Sequence, residues 1–271
     1  MPRILVFLAS AVLAGALAGP ASAAWTAPTD LAPANPLNKP VGAPSIAVGR
    51  DGTTYAAFQR FDGANLRASV AMRLPGGRFG APRDLSPAGK DAGNPVVAVD
   101  PQGNATVAWQ QLPDFTIQAR LRPAGGDWTE PTTLSAADAF SAPAIAVGDK
   151  GAAVVAWGRR VHDQVTRVEA ATRAPGDVAF GLAKFASPDA GTGLCQGIHV
   201  AMDAAGDVAA IWTRRTSAGG DYRAETAVKA AGAGDFQPSE SRSAPTGGGG
   251  LPHRHPHDPG RARHRDLGSP G

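Results

Sequence analysis

AVDPQGNATVAW, residues 98–109, decides the reading of this chain. A short Val/Ala run meets Pro101-Gln102-Gly103 and continues into a second apolar run that ends on Trp109. The stretch recurs without gaps. PSIAVGRDGTTYAAF starts at Pro44, PVVAVDPQGNATVAW at Pro95, PAIAVGDKGAAVVAW at Pro143 and IHVAMDAAGDVAAIW at Ile198. Each copy carries a glycine (Gly52, Gly103, Gly151, Gly206) and, six residues later, an aromatic: Phe58, Trp109, Trp157 or Trp212. A period of roughly fifty residues is the mark of a stacked repeat architecture.

Each copy reads as a β-hairpin. The glycine supplies the positive φ of a tight turn. The strand after it is apolar on both faces, with Val107 and Trp109 on one side and Ala108 on the other, so both faces are buried. The residue before the aromatic is small in three copies (Ala57, Ala108, Ala156) and Ile211 in the fourth. A small residue beside a large one predicts sheets stacked face to face.

A third strand follows with clean alternation, predicted at Leu66–Arg73, from Ile117, at Val165–Arg173 and at Tyr222–Lys229. Each ends on a basic residue: Arg73, Arg122, Arg173 or Lys229. The plain reading of these charges is protection of a sheet rim against edge pairing. Glycine-rich turns then lead to a fourth strand that opens on Phe79, Trp128, Phe180 or Phe236. FGAPRDLS and WTEPTTLS share a proline and a Leu-Ser ending. The expected fold is therefore all-β: β-propeller-type repeats, as four four-stranded antiparallel blades.

WTAPTDLA, from Trp25, repeats the fourth-strand pattern and leaves five fourth strands for four sets of three. The ring either closes at four blades, with Trp25 to Leu31 beside Tyr222–Lys229, or stays an open or truncated arc with Phe236 in that place. The open arc is the expectation.

The chain divides into three parts. Residues 1–23 read as a secretory signal peptide: Arg3, an apolar run of about 14 residues that is shorter than the roughly 20 a membrane span needs, and the small-x-small site Ala21-Ser22-Ala23. Residues 24–243 form the repeat domain. Residues 244–271, dominated by Gly, Pro, His and Arg, read as a disordered tail, from a shifted frame or truncation or as a true linker. The expected location is secreted and extracellular, with no membrane contact after signal cleavage.

Charges over the repeat domain balance to zero, which excludes the clustered basic footprint of a nucleic-acid binder. Cys195 is the only cysteine, so no internal disulfide supports the fold. No cofactor motif is present. His253, His255 and His257 lack the geometry of a metal site.

The Ala98–Trp109 core and the GG-x-W-x-x-P…L-S segment from Gly125 to Ser135 resemble secreted actinobacterial proteins with tandem propeller repeats. These are loosely related to the sialidase-like (BNR-like) superfamily, and the resemblance covers about Trp25 to Ser239. It implies a scaffold and says nothing of substrate. The Asp-box of sialidases is absent, because glycine and tryptophan here lie six apart. Tyr55 reads as packing, Tyr222 opens a strand, and Glu225 is expected on the opposite face from Tyr222. His199 reads as a strand-packing residue, Cys195 as part of an inter-strand loop, and Asn104 as an unpromising glycosylation acceptor.

One polar column stands out two residues beyond the aromatics: Arg60, Gln111, Arg159 and Arg214. These are the candidate ligand-binding residues, on the rim shared by the second-to-third-strand loops and the blade-to-blade loops; the plain alternative is a solvated loop. The expected function is a non-catalytic binder of an extracellular glycan or protein. The alternative is a truncated or degenerate sialidase-like glycoside hydrolase.

Overall fold

A computed structural model describes residues 27–32, 42–162, 165–188, 193–215, 220–237 and 240–241. The signal-peptide segment 1–23, Trp25 and the 244–271 tail lie outside them. The described residues form four antiparallel sheets, each a four-stranded meander in chain order. Sheet one holds β1 (Ser45–Val48), β2 (Thr54–Phe61), β3 (Leu66–Arg73) and β4 (Arg83–Asp84). Sheet two holds β5 (Ala92–Val99), β6 (Ala105–Gln111), β7 (Thr116–Arg122) and β8 (Thr132–Thr133). Sheet three holds β9 (Ala144–Val147), β10 (Ala153–His162), β11 (Val165–Arg173) and β12 (Lys184–Phe185). Sheet four holds β13 (Leu194–Met202), β14 (Val208–Arg215), β15 (Tyr222–Lys229) and β16 (Glu240–Ser241).

The repeat glycines Gly52, Gly103, Gly151 and Gly206 all take φ between 82° and 97°, a region that side chains with a Cβ enter only with strain. Three predicted third strands, β3, β11 and β15, have the bounds read from their alternation. The fourth strands are shorter than expected. Only two residues pair in each, and in every sheet they lie four and five positions after the aromatic that opens the segment. The Leu-Ser ending does the remaining work. Leu85, Leu134 and Ala186 are buried. Ser86, Ser135 and Ser187 each accept, through Oγ, a backbone N–H near the start of the third strand: those of Ala68, Ile117 and Val168. A strand too short to pair at that point is replaced by a hydroxyl, which satisfies an otherwise orphaned donor.

Successive sheets stack on faces of fixed polarity. Trp109 packs with Tyr55, Ala57 and Val70 of the sheet before it. Trp157 packs with Ala108 and Ala119 of its predecessor, and Trp212 with Ala156 and Ala170 of its own. The aromatic thus marks a leading face. The alanine beside it, pointing the opposite way, belongs to the trailing face that receives the next aromatic. All three tryptophans are fully buried, and Phe58, with no sheet before it, is half-buried.

The third-strand basic residues also lie on the leading face, and two of them reach backwards. Arg122 donates to the Tyr55 hydroxyl at 2.9 Å and Arg173 to Thr106 Oγ1 at 3.3 Å. Tyr55 and Thr106 hold the same repeat position. Two of the four charges read from the sequence as rim protection, Arg122 and Arg173, therefore clasp neighbouring sheets.

No comparable packed interface joins sheet four to sheet one among the described residues. The place beside β15 belongs to β16, from the segment that opens on Phe236, and residues 27–32 form no strand. Two apolar faces are left open, with Ile46 and Val48 exposed on the leading face of sheet one and Ile211 and Val228 on the trailing face of sheet four.

Replacing Trp157 with alanine is expected to lower stability by about 3–5 kcal/mol, as for other buried aromatics. Ser135→Ala is expected to cost about 1–3 kcal/mol by orphaning the Ile117 N–H. Urea denaturation followed by tryptophan fluorescence measures both. Losses below about 0.5 kcal/mol for either variant would contradict these assignments.

Candidate functional site

The first strand of each sheet is innermost, and β1, β5, β9 and β13 are neighbours in that order. Recesses open at both ends of this group, each with walls from all four sheets. The recess at the hairpin end, about 270 Å³, is bordered by Asp100, Asp149 and Asp203. Turn formation engages two of these acids. Asp100 Oδ1 accepts the N–H groups of Gln102 and Asn104, and Asp203 Oδ1 those of Gly206 and Asp207. Asn104, in this turn, donates to Asp100 Oδ2.

The recess at the opposite end, where the first strands begin, is larger, at about 490 Å³. Its polar groups are Ser45, Ser141 and His199, set among Val96, Ile145, Val200 and neighbouring apolar residues. Ser45 Oγ accepts the N–H of Val97 at 3.1 Å. Ser141 Oγ accepts the N–H of Gly158 and donates to the Ala142 carbonyl. His199, expected to pack within the strand, is exposed instead. His199 pairs with Ile211 just as Val96 pairs with Ala108 and Ala144 with Ala156, so it sits on the trailing face of sheet four, which no described sheet covers.

Behind the recess, glutamines link the sheets. Gln59 Nε2 donates to the Ala92 carbonyl at 2.7 Å, and Gln110 Nε2 to that of Ala139. Sheet three has Gly158 at this position, and the Phe140 ring fills the space that a side chain would need.

The four residues read as a rim donor column stand at this same end. Each is bonded within its own sheet, and none lines the recess. Arg60 pairs with Asp84, which also accepts Ser69 Oγ. Gln111 Oε1 accepts the Trp109 indole N–H at 3.2 Å. Glu169 accepts the Trp157 indole at 3.0 Å and Arg159 at 2.9 Å. Glu225 does the same for Trp212 at 2.9 Å and Arg214 at 2.8 Å. A buried indole N–H needs an acceptor, so sheets with tryptophan supply one. Phe58 has no such donor, and sheet one places its acid on the fourth strand, facing Arg60. Gln111 and Arg214 are buried, whereas the side chains of Arg60 and Arg159 stay 24% and 32% exposed.

Cys195 corrects the sequence reading. It lies inside β13, not in a loop, and is fully buried with its thiol on the Thr166 carbonyl. Burial pushes its pKa up, against the pull of nearby Arg214, so it is a poor nucleophile. Tyr55 is buried, as read, and Tyr222 is exposed. Near the same end, hydrogen bonds from Arg67 and from the N–H groups of Asn65 and Ala64 lower the Asp62 pKa to about 2. Among the described residues, no three His, Cys, Asp or Glu side chains cluster as a metal site.

No family model and no curated protein sequence matches the chain. Solved structures do. A Dyadobacter fermentans protein of unknown function is 16% identical, with a TM-score of 0.52 over 73% of this chain and 68% of that one. An α-L-arabinofuranosidase from Podospora anserina, solved with cellotriose, gives 13% identity and a TM-score of 0.44 over 76% and 70%. One from Fusarium graminearum, solved with an iminosugar inhibitor, gives 13% and 0.48 over 70% and 62%. At these identities the likeness is one of fold: propeller-type repeats of four antiparallel strands.

Arg214→Ala is expected to cost about 1–3 kcal/mol, because it removes the buried cation from the partly buried Glu225, which keeps only the Trp212 indole. Cys195 should resist a thiol reagent at pH 8 in the folded protein and react fully in denaturant. Rapid labelling of the native protein would contradict its burial.

Proposed function

We propose that this chain is an exported binding protein and that the recess at the first-strand starts holds an extracellular glycan. One observation carries the reading: an apolar-floored recess of about 490 Å³ whose polar groups are two hydroxyls and an exposed imidazole. That size falls in the range of small-molecule sites, and neutral donors and acceptors over an aliphatic floor suit sugar hydroxyls and ring faces. Arg60 and Arg159 stand at the same end, partly exposed and paired with Asp84 and Glu169. Gln111 and Arg214 support the sheets behind them.

A binding role fits this wall better than hydrolysis does. Cleavage of a glycosidic bond generally uses two carboxylates flanking it, and among the described residues those bordering this recess carry none. Among the acids at this end, Asp84 is paired with Arg60, and Glu169 and Glu225 are engaged with indoles and arginines inside the sheets.

Titration calorimetry with a panel of neutral and acidic oligosaccharides tests the proposal. At least one should bind, and His199→Ala should weaken it about tenfold, the equivalent of about 1.4 kcal/mol. Affinity that is unchanged in His199→Ala would remove the recess as the site. Release of shorter sugars during incubation would restore the hydrolase alternative.

A further inference from the structure

We propose that two copies of this chain associate head to tail, the leading face of sheet one in one copy seating on the trailing face of sheet four in the other. The molecule already contains this interface three times. Each inner copy sets an aromatic on the leading face against the small residue beside the previous aromatic: Trp109 on Ala57, Trp157 on Ala108, and Trp212 on Ala156. The two outer faces carry the same parts without their counterparts. Phe58 is half-buried on one, and Ile211 is 45% exposed on the other.

The sizes at the open positions are complementary. Where the receiving residue is alanine, the incoming aromatic is tryptophan. Where it is the bulkier Ile211, the aromatic left to receive is the smaller Phe58. A groove of about 560 Å³ along Ala201, Ala209 and Val228 crosses the trailing face of sheet four. Ile46 and Val48, 66% and 61% exposed, stand on the face that would enter it.

Charge agrees as well. In the inner interfaces, the basic residue ending the third strand comes close to an acid in the preceding hairpin. Arg122 and Asp51 line one groove, and Arg173 lies within electrostatic reach of Asp100. In sheet one that basic residue is Arg73, and its Nε is buried without a partner among the described residues. Sheet four offers Asp203 and Asp207 at the mouth of its groove. Contact between unlike faces is heterologous, so its symmetry differs from that of a two-fold patch pairing with itself.

That asymmetry makes the test specific. Sedimentation velocity of the unmodified chain across the micromolar range should show a concentration-dependent dimer or larger species. Ile46→Glu blocks the leading face and Val228→Glu the trailing face. Both positions are exposed, so unchanged circular dichroism and melting temperature verify folding, with Ile211→Lys as the replacement should Val228→Glu not fold. Each variant alone should be monomeric. An equimolar mixture should form a dimer, because one intact leading face and one intact trailing face remain. A monomeric parent chain, a single-face variant that still self-associates, or a mixture that stays monomeric would each overturn the proposal.

Discussion

Seating of a buried aromatic on an alanine of the preceding sheet is the contact on which the rest of this molecule depends. It recurs at Trp109, Trp157 and Trp212, and it imposes constraints in both directions. Backwards, it demands a small residue on the trailing face, so the second strands carry alanine just before their own aromatic. Inwards, the indole N–H demands an acceptor within its own sheet, which places Gln111, Glu169 and Glu225 where they are. A carboxylate held there in turn needs a cation, and Arg159 and Arg214 answer that need. A chain of requirements starting from one packing contact thus accounts for a polar column that looks from the sequence like a ligand site.

Recognition can use only what this framework leaves free. Two of the three hairpin-end acids, Asp100 and Asp203, serve their own turns, and the glutamines behind the larger recess tie one sheet to the next. The recess at the first-strand starts keeps an exposed imidazole and an aliphatic floor, and its two hydroxyls each already accept a backbone N–H. A rigid scaffold that surrounds a small set of polar groups is suited to selecting a ligand by shape and hydrogen bonding.

Much of this fold was legible in the sequence, because its determinants are local. A positive-φ glycine, a two-residue alternation and a repeated aromatic can each be read within fifteen residues, and the bounds of β3, β11 and β15 followed from them. What stayed hidden depended on contacts distant in sequence. Asp84 lies twenty-four residues from Arg60, so nothing local shows that the arginine is neutralised. The exposure of His199 depends on the trailing face of sheet four lacking a following sheet among the described residues, which no local pattern shows. Cys195 was misplaced because β13 begins earlier than its repeat counterpart β9. One signal was available within the chain: Trp157 and Trp212 are accompanied by Glu169 and Glu225 on the neighbouring third strand, whereas Phe58 is accompanied by Ser69.

A double-mutant cycle across one socket tests the central contact most directly. Ala108→Leu fills the seat of Trp157 and should destabilise the protein by about 1–3 kcal/mol through overpacking. Combined with Trp157→Leu, which makes room, the same substitution should cost at least about 1 kcal/mol less. Urea unfolding of the parent, the two single variants and the double variant measures this coupling. Costs that add to within about 0.5 kcal/mol, as they do for sites not in contact, would contradict the account.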